Sequence, residues 1–417
     1  MTWTRLHMRV TTPVFCGDGS VDDAQIRPPS IRGAMRFWLR AMAGVIVGND
    51  LRSLGKIEDA VLGRTEASSP VRLRVPAQPG ASVETRPAFL RPGHGADPKW
   101  IAYLLGPGLT SWSSQHKAAV LNRAHVPAGR EFDLLLRFST GDQHRHARDC
   151  ALAALWLAVA FGGIGSRPRR GFGGLAITGA ENLPDGWDEA RIRTPDANSY
   201  TSHIVDGLLW PRILADKAFP ALVGLAKDLK VPTPRSEEGH ARYPMLSHPR
   251  QARRDTAAGG APRTFSSWEA ALSHGGALLR SFRATEEVDE ARYSPKLKTW
   301  EWFEVVNGPE RDFQLGALGL PIVFKQDIEV HAETRENGTA EKLRRASPLW
   351  LRPVGDGDEL RLLSFGFLSE FLPGPEAAEV HLWKDGRRSK ELHTTTEDLH
   401  NMVHGYIERL SGEDLPN

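Results

Sequence analysis

The chain has 417 residues, of which 40% are hydrophobic, and its formal net charge is +2. This length is sufficient for two or three hydrophobic cores, and two domains are the expected number. The sequence contains no apolar run that could span a bilayer and no signal-peptide pattern, so we expect a cytoplasmic protein. It has only two cysteines, which are too few for a disulfide framework or a cysteine-rich metal site.

The small net charge hides an asymmetry along the chain. Residues 1–180 carry 23 Lys and Arg against 13 Asp and Glu, whereas the remaining residues carry 30 against 38. The net charge is therefore +10 for residues 1–180 and −8 for residues 181–417. Such a division indicates an anionic partner for the basic segment and protein contacts for the acidic segment.

The first 180 residues predict two successive strand-helix-strand units. Alternating apolar residues predict strands over 3–15, 68–75, 131–139 and 172–178, an amphipathic helix begins near Ser30 as its N-cap, and an apolar helix covers 150–161. This order is that of the split βαβ, or ferredoxin-like, fold. The long connection over 75–131 predicts an inserted subdomain or a loop that contacts a partner.

The rest of the chain predicts a second α+β module. We expect modules at 1–182 and 200–417, with a Pro/Arg-rich insertion at 231–263 that has little apolar periodicity and forms a long exposed loop. A helix capped by Ser266 or Ser267 follows. Segments such as KTWEWFEVV, LGLPIVFK, ASPLWLRPV and LRLLSFGFL predict strands or short buried segments, and residues 394–410 predict a helix.

A glycine-rich loop at residues 162–174, GGIGSRPRRGFGG, connects the apolar helix to the last strand of the first module. Its six glycines permit close backbone approach, and the guanidinium groups of Arg167, Arg169 and Arg170 match phosphate oxygens. Dinucleotide and P-loop motifs need the opposite order, from strand to helix, and are therefore excluded. The alternative is a helix C-cap whose arginines are only solvated.

The segment RPPSIRG, residues 27–33, is a second candidate anion site. Arg32 and Arg36 are four residues apart and share a helix face, the amides of residues 30–33 point to an anion, and Gly33 permits close approach. We expect this helix start to form one wall of a groove and the glycine loop the other. The alternative is that these arginines lie on an ordinary solvated helix face.

Four segments together resemble a known family: TPVFCGD at 12–18, RPPSIRGAMRFWLRA at 27–41, FGGIGSRPRRGFGGL at 161–175, and GLPIVF followed by RRASPLWLRP at 344–353. They resemble the RAMP superfamily and, within it, the family of subunit one of type III-B CRISPR (Cmr) effector complexes. The resemblance implies two ferredoxin-like, RRM-like modules. It also implies a position at the head of a ribonucleoprotein that defends against viruses, where the protein contacts guide and target RNA beside other RAMP subunits. It implies neither RNA cleavage nor a cofactor.

The resemblance also implies which residues contact RNA. They lie in the first helix region and in the glycine loop: Arg27, Ser30, Arg32, Arg36, Gly163, Gly165, Ser166, Arg167, Arg169 and Arg170. A similar set of RNA contacts in the second module could be formed by Arg344, Arg345 and Ser347. The alternative is that these residues belong to an ordinary solvated surface. Arg250, Arg253 and Arg254 are further candidates for nonspecific RNA contacts.

No residue is assigned a catalytic or metal-binding role. His7 would be the general acid-base group if the chain were instead a metal-independent endoribonuclease that processes guide RNA, but a histidine packed or hydrogen-bonded at the sheet is the favoured interpretation. His144, His146 and Asp149 lack a fourth ligand at useful spacing. The tryptophans at 300–303 could stack on bases, although core packing is favoured. A purely structural adaptor is the remaining alternative.

Overall fold

The computed structural model describes residues 2–17, 19–65, 68–93, 95–232, 239–248, 254–284, 302–324, 327–336, 339–355, 359–374 and 378–412. Helices and antiparallel sheets occur along the whole described chain, which confirms the α+β class. None of the helices in these ranges is long and apolar enough to cross a membrane.

Eight α-helices and sixteen strands are present in the described residues. The helices are α1 (Pro28–Val47), α2 (Leu51–Leu62), α3 (Pro98–Leu105), α4 (Arg145–Ala160), α5 (Glu189–Ile192), α6 (Phe219–Asp228), α7 (Trp268–Ala284) and α8 (Thr396–Gly412). The strands are β1 (Thr4–Val10), β2 (Val71–Arg74), β3 (Thr110–Ser113), β4 (Ala118–Leu121), β5 (Glu131–Phe138), β6 (Leu175–Glu181), β7 (Ile204–Val205), β8 (Leu208–Leu209), β9 (Thr256–Phe265), β10 (Ile322–Val323), β11 (Ile328–Glu336), β12 (Thr339–Leu343), β13 (Leu349–Val354), β14 (Leu360–Phe367), β15 (Glu379–Lys384) and β16 (Arg387–Leu392).

The first sheet has the strand order β2-β5-β1-β6, and every neighbouring pair is antiparallel. Alternate residues of β1, among them Leu6, Met8 and Val10, are buried against α1 and α4, which cover one face of the sheet. Helix α4 is buried almost all round because α1, α6 and the sheet all pack on it. This is the split βαβ order that the sequence predicts for the first module.

The second half contains two further sheets. One has the order β13-β14-β9, and the other has the order β10-β11-β15-β16 with β12 paired to β11. Helices α7 and α8 pack on the three-stranded sheet, whose order matches three strands of the split βαβ arrangement. A fourth strand of that sheet is absent from the described residues, so a second complete ferredoxin-like module is not confirmed.

The prediction of a long exposed loop over 231–263 is wrong at its end, where Thr256–Phe265 forms β9. Its sequence TAAGGAPRTF lacks the large alternating side chains that indicate a strand. The small residues are needed because α8 packs closely on this strand: a methyl group at Gly259 would lie 2.5 Å from the Ser411 hydroxyl and 2.8 Å from a methyl of Ile407. Arg250 and Arg253 lie outside the described residues.

Other predicted elements of the second half are close to those observed. The Ser267 hydroxyl accepts a hydrogen bond from the Ala270 amide at 3.1 Å and caps α7, as the sequence predicts. Of the segment KTWEWFEVV, Trp302–Val306 forms a single helical turn in which Val305 and Val306 are buried, whereas Trp300 lies outside the described residues.

The connection over 75–131 is an inserted subdomain, one of the two possibilities that its length predicts. It contains α3 and the hairpin formed by β3 and β4, and α3 packs on α7 of the second half. The packing is close: the Ser273 hydroxyl accepts a hydrogen bond from the Asp97 amide at 2.9 Å, and a methyl group at Gly276 would lie 2.6 Å from the Trp100 carbonyl oxygen. The insertion therefore bridges the two halves of the chain.

The two halves also share a hydrophobic core. Trp38 of α1 packs against Trp350 of β13, with ring centroids 5.9 Å apart, and Trp350 stacks on Phe365 of β14 at 5.7 Å. All three side chains are at most 5% exposed. Since β13 is packed in this way, the residues just before it lie beside the glycine-rich loop.

Candidate nucleic-acid interface

The glycine-rich loop is held against the segment that follows β1. The Ser166 amide donates to the Phe15 carbonyl at 2.9 Å, and the Gly173 amide donates to the Pro13 carbonyl at 2.9 Å. Gly165 and Gly173 have φ values of +78° and +73°, and a methyl group at Gly173 would lie 2.0 Å from the Ile164 carbonyl oxygen. The glycines are therefore required by the fold of the loop itself.

The loop begins at the C-terminal end of α4, where a buried arginine satisfies the free carbonyl groups. Arg352 of β13 donates to the carbonyl of Gly162, to that of Val159 at 2.5 Å and to that of Leu175 at 3.0 Å. The last carbonyls of a helix have no partner within it, so a donor from elsewhere is needed. Sequence reasoning missed this role because nothing near Arg352 indicates a partner 190 residues earlier.

The three arginines of the loop differ in their surroundings. Arg167 is exposed and has a φ of +64°. Its guanidinium lies close to Gly106, since a methyl group added at Gly106 would lie 2.8 Å from a guanidinium nitrogen of Arg167. Arg169 donates to the Ser347 carbonyl at 2.9 Å and lies over the Trp350 ring at 5.3 Å. Burial lowers the pKa of Arg169 to about 10 and that of Arg170 likewise to about 10.

Arg345 from the second half extends this cluster. Its main chain exchanges two hydrogen bonds with Leu320, at 2.8 and 3.0 Å, and its guanidinium donates to the Ser369 hydroxyl at 3.0 Å. Burial, together with the charge of Arg169, lowers the pKa of Arg345 to about 10. Its Nε is buried without a hydrogen-bond partner among the described residues. Arg344 is exposed and does not line the groove described next.

These residues border a groove of about 1100 Å³, called here the arginine groove. Five arginines line it: Arg167, Arg169, Arg170, Arg283 and Arg345. No Asp or Glu occurs among its described lining residues. The other lining residues are Pro168 of the loop and members of α3, residues 106–107, the β3-β4 hairpin, residues 318–323 and residues 346–347. Two halves of the chain and the insertion thus contribute to one cationic surface that has no neutralising carboxylate among those residues.

Three groove residues were missed at the level of sequence: Tyr103, Trp112 and Arg283. Arg283, in the last turn of α7, donates to the Tyr103 hydroxyl at 3.4 Å. Burial raises the pKa of Tyr103, but the charges of Arg283, Arg170 and Arg280 outweigh it and leave that pKa below its ordinary value. No local motif marks these residues, since each looks like an ordinary member of a helix or hairpin.

The start of α1 does not form the other wall of the groove, so that prediction is wrong. None of Arg27, Ser30, Arg32 and Arg36 lines the arginine groove. The helix begins at Pro28 with Arg27 as its N-cap, not at Ser30, and the amides of Ser30 and Ile31 already donate to the Arg27 carbonyl at 3.0 and 3.2 Å. The opposite wall is formed by α3, the β3-β4 hairpin and residues 318–323.

The polar side chains of this helix region have partners within the protein. Arg32 donates to the carbonyls of Leu62 and Val71 at 2.9 and 3.0 Å, and Arg36 pairs with Glu58 at 2.9 Å. Nearby, the Arg27 guanidinium donates to the Gly17 carbonyl at 3.1 Å, and the Ser30 hydroxyl accepts from Cys16 Sγ at 3.1 Å. These contacts fasten α1 to α2, β2 and the loop after β1.

The histidines considered for catalysis and metal binding also have protein partners. His7 lies on β1 with Nδ1 2.9 Å from Asp133 and Nε2 3.3 Å from Glu181, both on neighbouring strands. His146 Nδ1 lies 2.8 Å from an oxygen of Asp228. Asp149 instead accepts a hydrogen bond from the Trp187 indole at 2.9 Å. Among the described residues no group of three or more His, Cys, Asp and Glu could hold a metal ion.

Comparison with known proteins identifies a similar family. Residues 7–176 match the model of the RAMP superfamily. The match covers 170 of the 417 residues, which is less than half of the chain. The matched region contains α1, α4 and the glycine-rich loop, whereas Arg283 and Arg345 lie outside it.

Two curated proteins of Pyrococcus furiosus are similar to this chain. One, named CRISPR system Cmr subunit Cmr1-2, is 25% identical over 182 residues, which is 41% of this chain and 92% of that protein. The other, named CRISPR system Cmr subunit Cmr1-1, is 31% identical over 161 residues, which is 38% of this chain and 42% of that protein. A crystal structure of apo Cmr1 from the same organism aligns with a TM-score of 0.48 at 19% identity and covers 88% of each chain.

Proposed function

We propose that this chain is a protein of the RAMP superfamily and a non-catalytic RNA-binding subunit at the head of a type III-B CRISPR (Cmr) ribonucleoprotein effector complex. In that role it helps to capture guide and target RNA in antiviral defence. The arginine groove carries the proposal, because five guanidinium groups without a carboxylate among the described lining favour a polyanion. The names of the two relatives, both Cmr subunits, support the choice of complex.

The placement of the arginines suits a phosphate backbone better than the edges of bases. A guanidinium presents its donors in a planar fork that matches phosphate oxygens, and Arg169 is held in place by the Ser347 carbonyl and by the ring of Trp350. Positive charges crowded together and partly buried repel one another in the free protein, so a bound anion relieves that repulsion. Sequence would be read by base pairing with the guide.

The proposal extends to the architecture and the partners. We propose modules at 1–182 and 200–417, both built on the ferredoxin-like strand order, with three strands of that order described in the second. Guide RNA, target RNA and other RAMP subunits are the proposed partners, and the cytoplasm is the proposed compartment. No cofactor is needed for a role that consists of binding.

Titration of labelled single-stranded repeat RNA at several salt concentrations tests this function. Arg167 is the best position to change, because it is exposed and its positive φ is tolerated by asparagine. Arg167→Asn should weaken binding and lower the slope of log affinity against log salt by about 0.7, while Arg167→Lys should preserve the slope. Arg52→Gln, at an exposed arginine of α2 outside the groove, is the matched control. An unchanged affinity and slope in Arg167→Asn would contradict the proposal.

Incubation of the purified chain with the same RNA tests the absence of catalysis. We expect stoichiometric binding without products, and the same result for His7→Ala. Discrete cleavage that is lost in His7→Ala would show the guide-processing endoribonuclease instead. Genes for other RAMP proteins beside the gene of this chain would support its assignment to the complex.

A further inference from the structure

Two arginines stand directly opposite each other on neighbouring strands of the first sheet. Arg72 of β2 is paired with Arg137 of β5. Both side chains lie on the outer face of the sheet, since the residues that alternate with them, Val71 and Leu136, are buried in the core. Like charges in such a pair repel each other. Neither guanidinium forms an ion pair with another residue in the described part of the chain, so the protein itself does not relieve this repulsion there.

The two ends of this outer face differ in how their charges are balanced. Beside β1 and β6, the Nε of Arg5 lies 3.7 Å from an oxygen of Asp133 and 4.0 Å from one of Glu181. At the β2 end, Arg74 follows Arg72 on the same face, is exposed, and has no ion pair within the described ranges. Carboxylates therefore balance the arginine of β1 but not those of β2.

Two depressions that share Arg72 extend the positive charge from the sheet to α1. One, of about 300 Å³, is lined by residues of α1, α2 and β2, and the other, of about 240 Å³, is lined by residues of β5 and by Ser139 and Thr140. Five arginines line the two depressions: Arg32, Arg36, Arg64, Arg72 and Arg137. No Asp or Glu occurs among the lining residues that the structure describes, and none of these residues lines the arginine groove.

Contacts within the protein hold several of these side chains in place. Arg137 lies over the ring of Trp3, with its guanidinium carbon 5.1 Å from the ring centre. Arg32 donates to two main-chain carbonyls, and burial together with the charge of Arg36 lowers its pKa. Arg36 and Arg64 pair with carboxylates of α2. The arginines of α1 and of the segment after α2 thus supply a positive background, while those of β2 and β5 are left to bind an anion.

We infer that Arg72, Arg74 and Arg137 form a second site for the phosphate backbone of RNA, separate from the arginine groove. The inference rests on the proposed function for the identity of the ligand. Arg72 and Arg74 are about 7 Å apart along the strand, which is comparable to the separation of successive phosphates in an extended RNA strand. A phosphate between Arg72 and Arg137 would also relieve their repulsion.

The chemistry of this surface suits a phosphate backbone better than a protein partner. Its polar lining consists of guanidinium and hydroxyl groups, which are donors to phosphate oxygens. None of the exposed large hydrophobic side chains of the described residues belongs to this lining, whereas the centre of a protein interface is usually apolar. We therefore assign the surface to RNA.

Titration of labelled single-stranded repeat RNA with the full chain at several salt concentrations tests the second site. Combining Arg72→Gln with Arg137→Gln should weaken binding by about 2- to 5-fold for each arginine and lower the slope of log affinity against log salt by about 1.4. Combining Arg72→Lys with Arg137→Lys should preserve the slope. Arg5→Gln, on the same face but beside carboxylates, is the matched control and should leave affinity and slope unchanged.

Thermal unfolding of the free protein gives a second readout that separates RNA binding from damage to the fold. Arg72→Glu places opposite charges across the two strands, so it should raise the melting temperature while it weakens RNA binding. A lower melting temperature in this variant would contradict the unrelieved repulsion between Arg72 and Arg137 on which the inference depends.

The outcomes that overturn the second site differ from those that overturn the proposed function. Unchanged affinity and slope in the combined glutamine variant would exclude the second site, and a normal effect of Arg167→Asn would then leave the arginine groove in place. Normal RNA binding together with lost association with a purified Cmr subunit would show that a protein covers this face instead. If Arg167→Asn also left affinity and slope unchanged, RNA binding by the groove would be excluded.

Discussion

The guanidinium of Arg169 and the main-chain carbonyl of Ser347, 178 residues later in the chain, are joined by a hydrogen bond of 2.9 Å. The same guanidinium lies 5.6 Å from the ring centre of Phe37 and 5.3 Å from that of Trp350. Arg169 therefore connects the glycine-rich loop to both halves of the protein, and contacts within the protein fix its position.

We expect Arg169→Ala to lower the free energy of unfolding by about 1.5–3 kcal/mol, because a charge-assisted hydrogen bond is lost and the Ser347 carbonyl loses its donor. Chemical denaturation monitored by tryptophan fluorescence measures this change. Arg344→Ala, at the exposed neighbour of Arg345, should change it by less than about 0.5 kcal/mol. Equal stability of the two variants would show that the Arg169–Ser347 contact does not hold the halves together.

Two glycines that look alike in sequence should respond oppositely to alanine. Gly173→Ala forces a side chain onto a φ of +73° and into the Ile164 carbonyl oxygen, so we expect a loss of more than about 2 kcal/mol. Gly33 lies within α1 with nothing within 4 Å of an added methyl group, so Gly33→Ala should add about 0.5–1 kcal/mol. Thermal unfolding compares the two.

The Gly33 variant also tests a prediction made from sequence. If Gly33 permitted close approach of an RNA backbone, Gly33→Ala would weaken RNA binding. Because Gly33 does not line the arginine groove, we expect the affinity to stay unchanged. A reduced affinity in this more stable variant would restore the helix start as an RNA contact.

Arg352 should be among the most sensitive positions of the chain. Arg352→Met keeps much of the apolar side chain but leaves the carbonyls of Val159, Gly162 and Leu175 without their donor, so we expect a loss of at least about 2 kcal/mol. RNA affinity should fall as well, since Gly162 begins the glycine-rich loop. Arg344→Met is the control for stability. A melting temperature equal to that of the unmodified protein would contradict the capping role.

Stability should fall at acidic pH because of a buried histidine. Burial lowers the pKa of His125 to about 4, and its ring packs between Phe15 and Phe89, with centroids at 5.5 and 5.7 Å. The unfolded chain, in which this pKa is about 6.5, binds the proton more readily, so this contribution is fully present above about pH 6.5 and is lost as the pH falls towards 4.

Unfolding curves of the unmodified protein and of His125→Phe between pH 7.5 and 4 measure this effect. Phenylalanine fits the aromatic surroundings and does not titrate, so the stability of the variant should decrease less steeply over this range. Burial also lowers the pKa values of His203 and His274 to about 4. Both histidines are present in both proteins, so their contributions to the pH dependence of stability cancel in the comparison. Parallel pH curves would exclude a contribution from His125.

Local patterns in the sequence were sufficient for the elements of the first module. The alternation in β1, the apolar length of α4 and the position of the glycine-rich loop between α4 and β6 all depend on residues close together in the chain. They led to the observed strand order because few arrangements bury those apolar faces. The same patterns do not predict β9, because its alanines and glycines allow close packing of α8 and do not alternate between apolar and polar residues.

The composition of the arginine groove could not be obtained in the same way. An arginine that donates to a carbonyl within the protein has the same local sequence as one that awaits a phosphate. Arg32 and Arg36 belong to the first kind, since they donate to the carbonyls of Leu62 and Gly63. Arg283 and Arg345 became groove residues only through contacts between distant segments. The resemblance to the RAMP superfamily drew attention to both RPPSIRG and RRASPLWLRP, but only the second segment contributes to the groove.

The sharing of the groove between the two halves has a consequence for the order of events during synthesis. A ribosome delivers Arg167, Arg169 and Arg170 well before Arg283 and Arg345, and Ser347 and Arg352, which position the loop, come later still. A nascent chain that ends before residue 283 therefore lacks two of the five cations and the contacts that orient the others. The complete cationic groove arises only on nearly finished chains, so truncated translation products lack the surface to which RNA binding is assigned in the proposed function.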